Sequence, residues 1–352
     1  MSEYAFVNPI SIKKVSSLEP IKHLWDNVAT DYYQTCDFTT HLEIYNKCSQ
    51  RYYLLYVDKV LTAGAIVYTL SVNLLTFSQK KLSISMNVIG VAASVDSSGL
   101  IGNPYYFDRI IDYILKNEKG VILCLNYESA MNHKQLIELN ALPTIILKHN
   151  FKDFGSFLNH MRHPYHRRVV HAIKRFEQVV KTNESCHAFT DEHYGLYLNV
   201  MARTKTKLEI LSKDFFKNLP GNFVLTSYYN KQDELLIWHI TGEFKNVYSF
   251  LFGGINYEKR DEFDAYYNNL IGIVYDGIDK GYKTINFGQT AEVPKMRLGG
   301  ECFPKKMFIY HRNVLIRSLF KVFRKQIGYK SNFETLNVFK NEHTLYTTSA
   351  TR

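Results

Sequence analysis

From residue 51 the chain runs in short apolar segments separated by polar pairs: RYYLLYV, a break at Asp58 and Lys59, then LTAGAIVYTL. Segments of this length, rich in Tyr, Val, Ile and Leu and flanking a two-residue polar break, predict a β-hairpin. The same pattern returns in the second half, where FVLTSYY, a polar break over 230–233 and ELLIWHITGEF predict another hairpin. Each hairpin leads through a further strand to a glycine-bearing turn, IGNPYYF at 101–107 and GGINYEK at 253–259. The hydrophobic period then lengthens from two to between three and four. Ile110, Ile111, Ile114 and Leu115 share one face, as do Phe263, Tyr266, Tyr267, Leu270, Val274 and Ile278, so a helix packed on a sheet is predicted in each half.

Both helices end in Lys-Gly, and Gly120 and Gly281 suit the left-handed residue that closes a helix. Apolar strands follow at once, VILCLNY and YKTINFG, and Pro143 and Pro304 each stand 23 residues beyond the closing glycine. The strands after those prolines, PTIILKHNF and PKKMFIYHR, match in kind. The expected fold class is therefore α+β. It is a tandem duplication with two mixed, mostly antiparallel sheets, each crossed by helices. Residues 70–98 read as an insertion in the first half, and the stretch from 287 to the strand near 306 reads as a long loop carrying Lys295, Arg297 and Glu301. A basic helical segment over 156–181 joins the halves, with Leu158, Met161, Tyr165, Val169, Ile173, Phe176 and Val180 as its packed stripe and a break expected at Pro164. The expected domains are 1–155 and 156–330, followed by a tail over 331–352.

Composition changes this picture little, but charge changes it. With 46% hydrophobic and 22% charged residues, a 352-residue chain is an ordinary globular protein large enough for two cores. The net charge of +10 is concentrated in two stretches: residues 160–181 carry +5, and residues 305–330 carry eight Lys/Arg and no acid. Such asymmetry points to an anionic partner: nucleic acid, a phosphate-bearing cofactor, an acidic carrier protein or a membrane surface. Five scattered cysteines form neither a disulfide framework nor a zinc pattern, and the cluster His160, His163, His166 and His171 lacks the spacing of a metal site. The N-terminus shows no secretory pattern, and the most apolar stretch, residues 61–77, is interrupted by Thr, Ser and Asn; the expectation is a cytoplasmic protein without an integral membrane segment. No Gly-Lys-Ser/Thr phosphate loop and no Gly-x-Ser-x-Gly elbow is present, which argues against a P-loop NTPase or an α/β-hydrolase.

The basic helix HPYHRRVVHAIKRF, the HYGLYLNVMARTKTK helix, the stretch ending in DFFKNL, the GGINYE turn, the KGYKTINFGQT strand and the KMRLGGE loop together resemble FemAB-like proteins and the tandem GNAT-fold N-acyltransferases. The resemblance covers roughly residues 25–312 as architecture and concentrates in 156–181 and 281–304. It implies transfer of an acyl or aminoacyl group from a carrier to an amine of a small molecule or peptide. The donor would be acyl-CoA or an acyl carrier protein as co-substrate, with no permanently bound cofactor, or, in the Fem-type alternative, an aminoacyl-tRNA. A non-catalytic module for nucleic acid or acidic membrane is the third reading, because the segment NVLIRSLFKVFRKQIG sets Leu315, Leu319, Val322 and Phe323 opposite its arginines. One departure concerns the donor. The Arg/Gln-x-x-Gly-x-Gly/Ala loop that binds the coenzyme A pyrophosphate in ordinary acetyltransferases of this fold is not intact, Arg297-Leu-Gly-Gly having its ingredients at another spacing.

The resemblance places the acyl carrier in the splayed opening of the sheet, here lined by VYSFLFGG, the GGIN turn and the end of INFGQT. Gly253 and Gly254 would leave peptide N–H groups free to face a carbonyl, and Gln289 stands at the rim. Lys295 and Arg297 would hold a phosphate or carboxylate, joined by Arg167 and Arg168 of the basic helix. Glu301 would neutralise one of these cations or accept a proton from the amine. His239, with an ordinary pKa of about 6.5, and Glu243 are the other candidate bases.

Overall fold

The computed structural model describes residues 9–340 apart from 47, 76–81, 129, 130, 132, 205–208 and 332. The chain forms two compact units, one of residues 1–142, 205–215 and 304–330, the other of 143–204, 216–303 and 331–352.

The first unit contains β1 (Ile10–Val15), α1 (Lys22–Val28), α2 (Cys36–Tyr45), β2 (Arg51–Val57), β3 (Val60–Asn73), β4 (Ser83–Ile89), β5 (Leu100–Gly102), α3 (Phe107–Asn117), β6 (Val121–Tyr127) and β7 (Ile137–Asn140). The second contains β8 (Thr144–Lys148), α4 (Phe154–His160), α5 (His163–Arg175), β9 (Val180–Ser185), α6 (Asp191–Arg203), β10 (Phe223–Tyr229), β11 (Leu235–Phe244), β12 (Val247–Ile255), α8 (Ala265–Asp279), β13 (Thr284–Asn286), α9 (Glu292–Met296) and β14 (Glu301–Phe303), with α7 (Lys213–Lys217) at the boundary. The chain then returns to the first unit with β15 (Lys306–His311), α10 (Val314–Val322) and α11 (Arg324–Ile327).

The predicted hairpins form. Asp58 and Lys59 both take positive φ, the geometry of a tight two-residue turn matched to strand twist, and β2 and β3 pair antiparallel around them. Gly281 closes α8 as expected, at φ +81°, whereas α3 ends at Asn117 with an extended Glu118, and Gly120, at φ +79°, serves the turn into β6 instead. The sheet orders are β1-β2-β3-β4-β6-β15-β7, with β5 added beside β3, and β9-β10-β11-β12-β13-β8-β14. The two orders are the same topology. In each, an antiparallel meander ends on a strand that pairs parallel with the strand after the crossing helix: β4 with β6 and β12 with β13.

This equivalence corrects two expectations. The segment 83–89 is a regular strand of the repeat, the counterpart of β12, and not part of an insertion. The compact units also do not follow a cut at residue 155. β8 leaves the first half of the sequence and lies between β13 and β14, while β15 leaves the second half and lies between β6 and β7. Pro143 and Pro304 are the first residues past each crossing point. A proline cannot continue a sheet ladder, so both strands before it stop and the chain is free to enter the other sheet. The expected tail is also not separate, because Val338 is buried in the second core and Phe339 bridges to Met161.

The cores lie where helix faces meet sheets. Ile110, Ile111 and Ile114 of α3 cover Tyr53, Ala63, Ala65 and Val67, and Leu270, Val274 and Ile278 of α8 cover Ile145, Leu147, Tyr248 and Ile285. Each such aliphatic side chain contributes about 1.5–3 kcal/mol on burial. Pro164 opens α5 after a break that follows α4, as expected, but α5 ends at Arg175, and Val180 is the exposed first residue of β9.

Candidate functional site

β12 and β13 pair over only three residues each, Val247–Ser249 against 284–286. Between the β11 partners Ile240 and Thr241, β12 inserts one extra residue, Leu251, and the resulting bulge bends the strand. Beyond the bulge β12 continues beside β11, while the chain after β13 stays beside β8, with Phe287 N–H donating to Ile145 O at 2.9 Å and Ile145 N–H to Gly288 O at 3.1 Å. The pairing of β12 with β13 stops at Ser249 and Asn286, so the two chains part there, at the place where the resemblance implies an opening.

The turn there places three of four successive residues, Gly288, Thr290 and Ala291, at positive φ. α9 then doubles back, and Lys295 Nζ donates to Gln289 O at 2.6 Å and Gly288 O at 3.4 Å while sitting 5.9 Å from the Phe250 ring centroid. Lys295 is 1% exposed. It stands on a helical turn, not on the loop expected between 287 and 306, and its ammonium fastens that turn from inside.

Arg297, two residues later, points elsewhere. It lines a cleft of about 960 Å³ together with Arg167, Arg168, His171 and Arg175 of α5, Arg260, Asp261 and Asp264 before α8, and Tyr266 and Tyr267 on it. α5 buries Val169 and Ala172, so Arg167, Arg168 and His171 emerge on its open side. The contact is fixed by Asn268 of α8, whose Nδ2 donates to Ala172 O at 2.8 Å and Phe263 O at 2.9 Å. Arg175 pairs with Asp264 at 3.2 Å and Arg260 with Asp261 at 2.7 Å. Among the described residues no carboxylate lies within ion-pair distance of Arg167, Arg168 or Arg297. The Tyr267 hydroxyl is buried near them without a hydrogen-bond partner; burial pushes its pKa up to about 12, with Arg168 and Arg297 pulling the other way. Guanidinium groups without carboxylate partners have the chemistry that suits an anion such as phosphate, which the planar fork can grip bidentately.

The remaining candidates are placed differently. His239 is fully buried, its Nδ1 2.7 Å from Asn269 Oδ1, and burial pushes its pKa down to about 4. A ring sealed from solvent in this way is a neutral core histidine, not a base within reach of a substrate. Glu243 is the last residue but one of β11 and is held by Lys280 at 2.5 Å and the Tyr282 hydroxyl at 2.7 Å; burial opposes its ionisation, and these two partners outweigh it to leave the pKa lowered. Glu301 is the exposed first residue of β14. Gly253 and Gly254 are paired strand residues, and a Cβ at Gly254 would stand 2.2 Å from Trp238 Nε1 and 2.8 Å from Tyr197 N, so close packing of α6 on the sheet requires that glycine. The ten sequence candidates thus divide. Arg167, Arg168 and Arg297 meet in the cleft, Lys295 and Gln289 build the turn beside it, and the others serve packing or the surface.

A buried Ser227–His193 contact at 2.9 Å resembles a nucleophile with its base, but its hydrogen-bond pattern excludes that. Thr190 N–H donates to His193 Nδ1 at 3.2 Å, so Nε2 carries the proton and donates to Ser227. Sequence reasoning missed Arg260, Asp261, Asp264 and Pro294 as cleft residues. The charged run KRDEFD before α8 was the available signal, and Tyr266 and Tyr267 were assigned to packing alone.

No family model matches the chain, and no curated protein does. Solved structures do. FemX superposes with a TM-score of 0.55 at 12% identity, covering 89% of this chain and all of FemX. This is the FemX fold. L-PGS from Bacillus licheniformis gives a TM-score of 0.50 at 11% identity over 83% of this chain and 96% of its own, and a conserved protein of unknown function from Bacteroides thetaiotaomicron gives 0.50 at 9% identity over 86% and 100%. The match to FemX spans both units, so the tandem GNAT-like duplication read from the sequence is present in full. Among the described residues, no helix of this FemX-like chain is long and apolar enough to cross a membrane.

Proposed function

We propose that the protein is an N-acyltransferase that moves an activated acyl group from a phosphate-bearing carrier to an amine, and that Arg167, Arg168 and Arg297 hold the carrier's phosphate. The observation that supports this is the convergence of three arginines without carboxylate partners on one cleft of a FemX-like fold. Acyl transfer by direct attack needs a neutral amine, a positioned carbonyl and cationic groups near the developing negative charge. The arginines supply the last of these and fix the carrier, while the opening beside β12 admits the acyl chain.

A specific observation favours an aminoacyl-tRNA over coenzyme A as donor. Ahead of α8, where a helix N-terminus would receive a pyrophosphate, the chain lacks the Arg/Gln-x-x-Gly-x-Gly/Ala loop and carries Asp261, Glu262 and Asp264, ion-paired with Arg260, Lys259 and Arg175, so no glycine-rich backbone is offered to that group. The phosphate is then held from α5 and Arg297, in the manner of RNA bound through its backbone with little base readout.

The test is an intact-mass screen of amine acceptors with three donors: acyl-CoA, acyl carrier protein and aminoacyl-tRNA, the last with and without RNase. Product from any donor that disappears in the Arg167→Ala/Arg168→Ala/Arg297→Ala variant supports the reading. Product that persists in the folded triple variant, or none from any donor, removes it. Dependence on intact tRNA decides between the donors.

A further inference from the structure

α10 has two apolar sides, and only one is used. Asn313 caps the helix by accepting from Leu315 N–H at 2.8 Å and Ile316 N–H at 3.4 Å. The inner side packs on β15 through Phe320, which is buried, and Arg317 lays its guanidinium 5.4 Å from the Tyr310 ring centroid. α11 continues the contact by burying Ile327. The outer side carries Val314, Leu315, Leu319, Val322 and then Phe323, spaced one, three or four residues apart. Leu315 is 75% exposed, Val322 71% and Val314 62%. Five large apolar side chains exposed on one helical stripe form a contiguous patch, which an isolated exposed leucine would not.

Every charged residue of this segment is cationic. Arg312, Lys321, Arg324, Lys325 and Lys330 are exposed, and the stretch 305–330 contains no acid. Among the described residues none of these five has a carboxylate within ion-pair distance. An apolar stripe bordered by Lys and Arg on a short helix lying along the surface is the pattern of a segment that enters the headgroup layer of an anionic bilayer. The two other occupants fit less well. A second copy in a two-fold contact would bring the same cations face to face. An RNA would use the cations and leave the apolar stripe in water.

We propose that α10 with α11 is a peripheral membrane-docking surface for anionic lipid, with Val314, Leu315, Leu319, Val322 and Phe323 inserted and the surrounding lysines and arginines on the headgroups. The surface belongs to the first unit and uses none of the cleft arginines, so it stands or falls independently of the acyltransfer reading.

The experiment is flotation of the full chain with vesicles of phosphatidylcholine alone and of equimolar phosphatidylcholine and phosphatidylglycerol, at low and high salt. The expected result is binding to the anionic vesicles only, weakened by salt, and reduced about tenfold or more both in Leu315→Ser/Leu319→Ser/Val322→Ser and in Lys321→Ser/Arg324→Ser/Lys325→Ser. All six positions are exposed, so unchanged thermal unfolding verifies that the variants are folded. Leu315→Trp gives a second readout: a blue shift of its emission on adding anionic vesicles supports insertion. Equal binding to neutral vesicles, no binding to either, or binding that survives both triple variants overturns the proposal. So does concentration-dependent dimerisation, or RNA binding, that the apolar triple variant abolishes while vesicle binding is absent.

Discussion

The Lys295 ammonium lies 2.6 Å from the Gln289 carbonyl oxygen, and together they close the turn that follows β13. The same ammonium reaches Gly288 O, which also accepts from Ile145 N–H of β8. A buried cation satisfied by backbone carbonyls contributes through charge-assisted bonds, and Thr290 and Ala291 depend on it because both sit in the left-handed region. Lys295→Met should cost roughly 2–4 kcal/mol of stability by denaturant titration. Ala291→Gly should restore about 1 kcal/mol of that loss by relieving backbone strain.

For the cleft, Arg168→Ala with Arg297→Ala should raise KM for the carrier about tenfold or more while leaving the denaturation midpoint unchanged, since neither side chain has an ion-pair partner to lose. Arg297→Lys should recover little of this, because a point charge does not replace a planar fork. Steady-state kinetics over carrier concentration would check both outcomes.

His239 gives a pH dependence with a defined sign. Its folded-state pKa is pushed down to about 4 by burial, against an unfolded value near 6.5, so the unfolded chain binds more protons between those limits. The stability from burying the neutral ring is fully present above pH 6.5 and is lost as pH falls toward 4, by roughly 2–4 kcal/mol. Urea titrations at several pH values should show a shallower slope in His239→Gln than in the wild type over this window.

Gly254 and Gly281 separate two reasons for glycine. Gly254→Ala forces a Cβ against Trp238 and the Tyr197 backbone and should lower stability by several kcal/mol, because neither the backbone nor a buried indole can yield. Gly281→Ala has open space at its Cβ and suffers only from φ +81°, so about 1 kcal/mol is expected. Thermal melts of the two variants would rank them.

The exchange of β8 and β15 predicts that the halves of the sequence do not fold apart. A fragment of residues 1–155 lacks the strand between β6 and β7, and a fragment of 156–352 lacks the strand between β13 and β14. Each would expose an unpaired interior edge, so both should aggregate or show weak amide-exchange protection, whereas co-expression should recover a folded pair. Independent folding of either fragment would contradict the pairing.

Much of the architecture was legible because it is local. The hairpin turn at Asp58 and Lys59, the glycine that closes α8, the break at Pro164 and the apolar faces of α3 and α8 each depend on a few neighbouring residues. The status of His239 was not legible. Its alternation with Trp238 and Ile240 puts them on opposite faces of β11, but both faces are covered, by α6 on one side and α8 on the other, and periodicity along one strand does not report what covers it. Lys295 and Arg297 were treated alike for the same reason. Two residues apart on α9, they point in different directions, and one is buried while the other meets the cleft.

What the sequence determined by itself was the repeated module, its helix and strand types, and the location of positive charge, since turn chemistry and hydrophobic period act over a few residues. Only the tertiary structure decided which strand completes which sheet and which arginines meet. Strand pairing joins residues far apart in the chain: Pro143 and Pro304 sit at the same point of two similar halves, and nothing local says that the strands beyond them change places. Likewise, α5 and Arg297 are more than a hundred residues apart, and the packing of α5 on α8 is what brings their cations to one cavity.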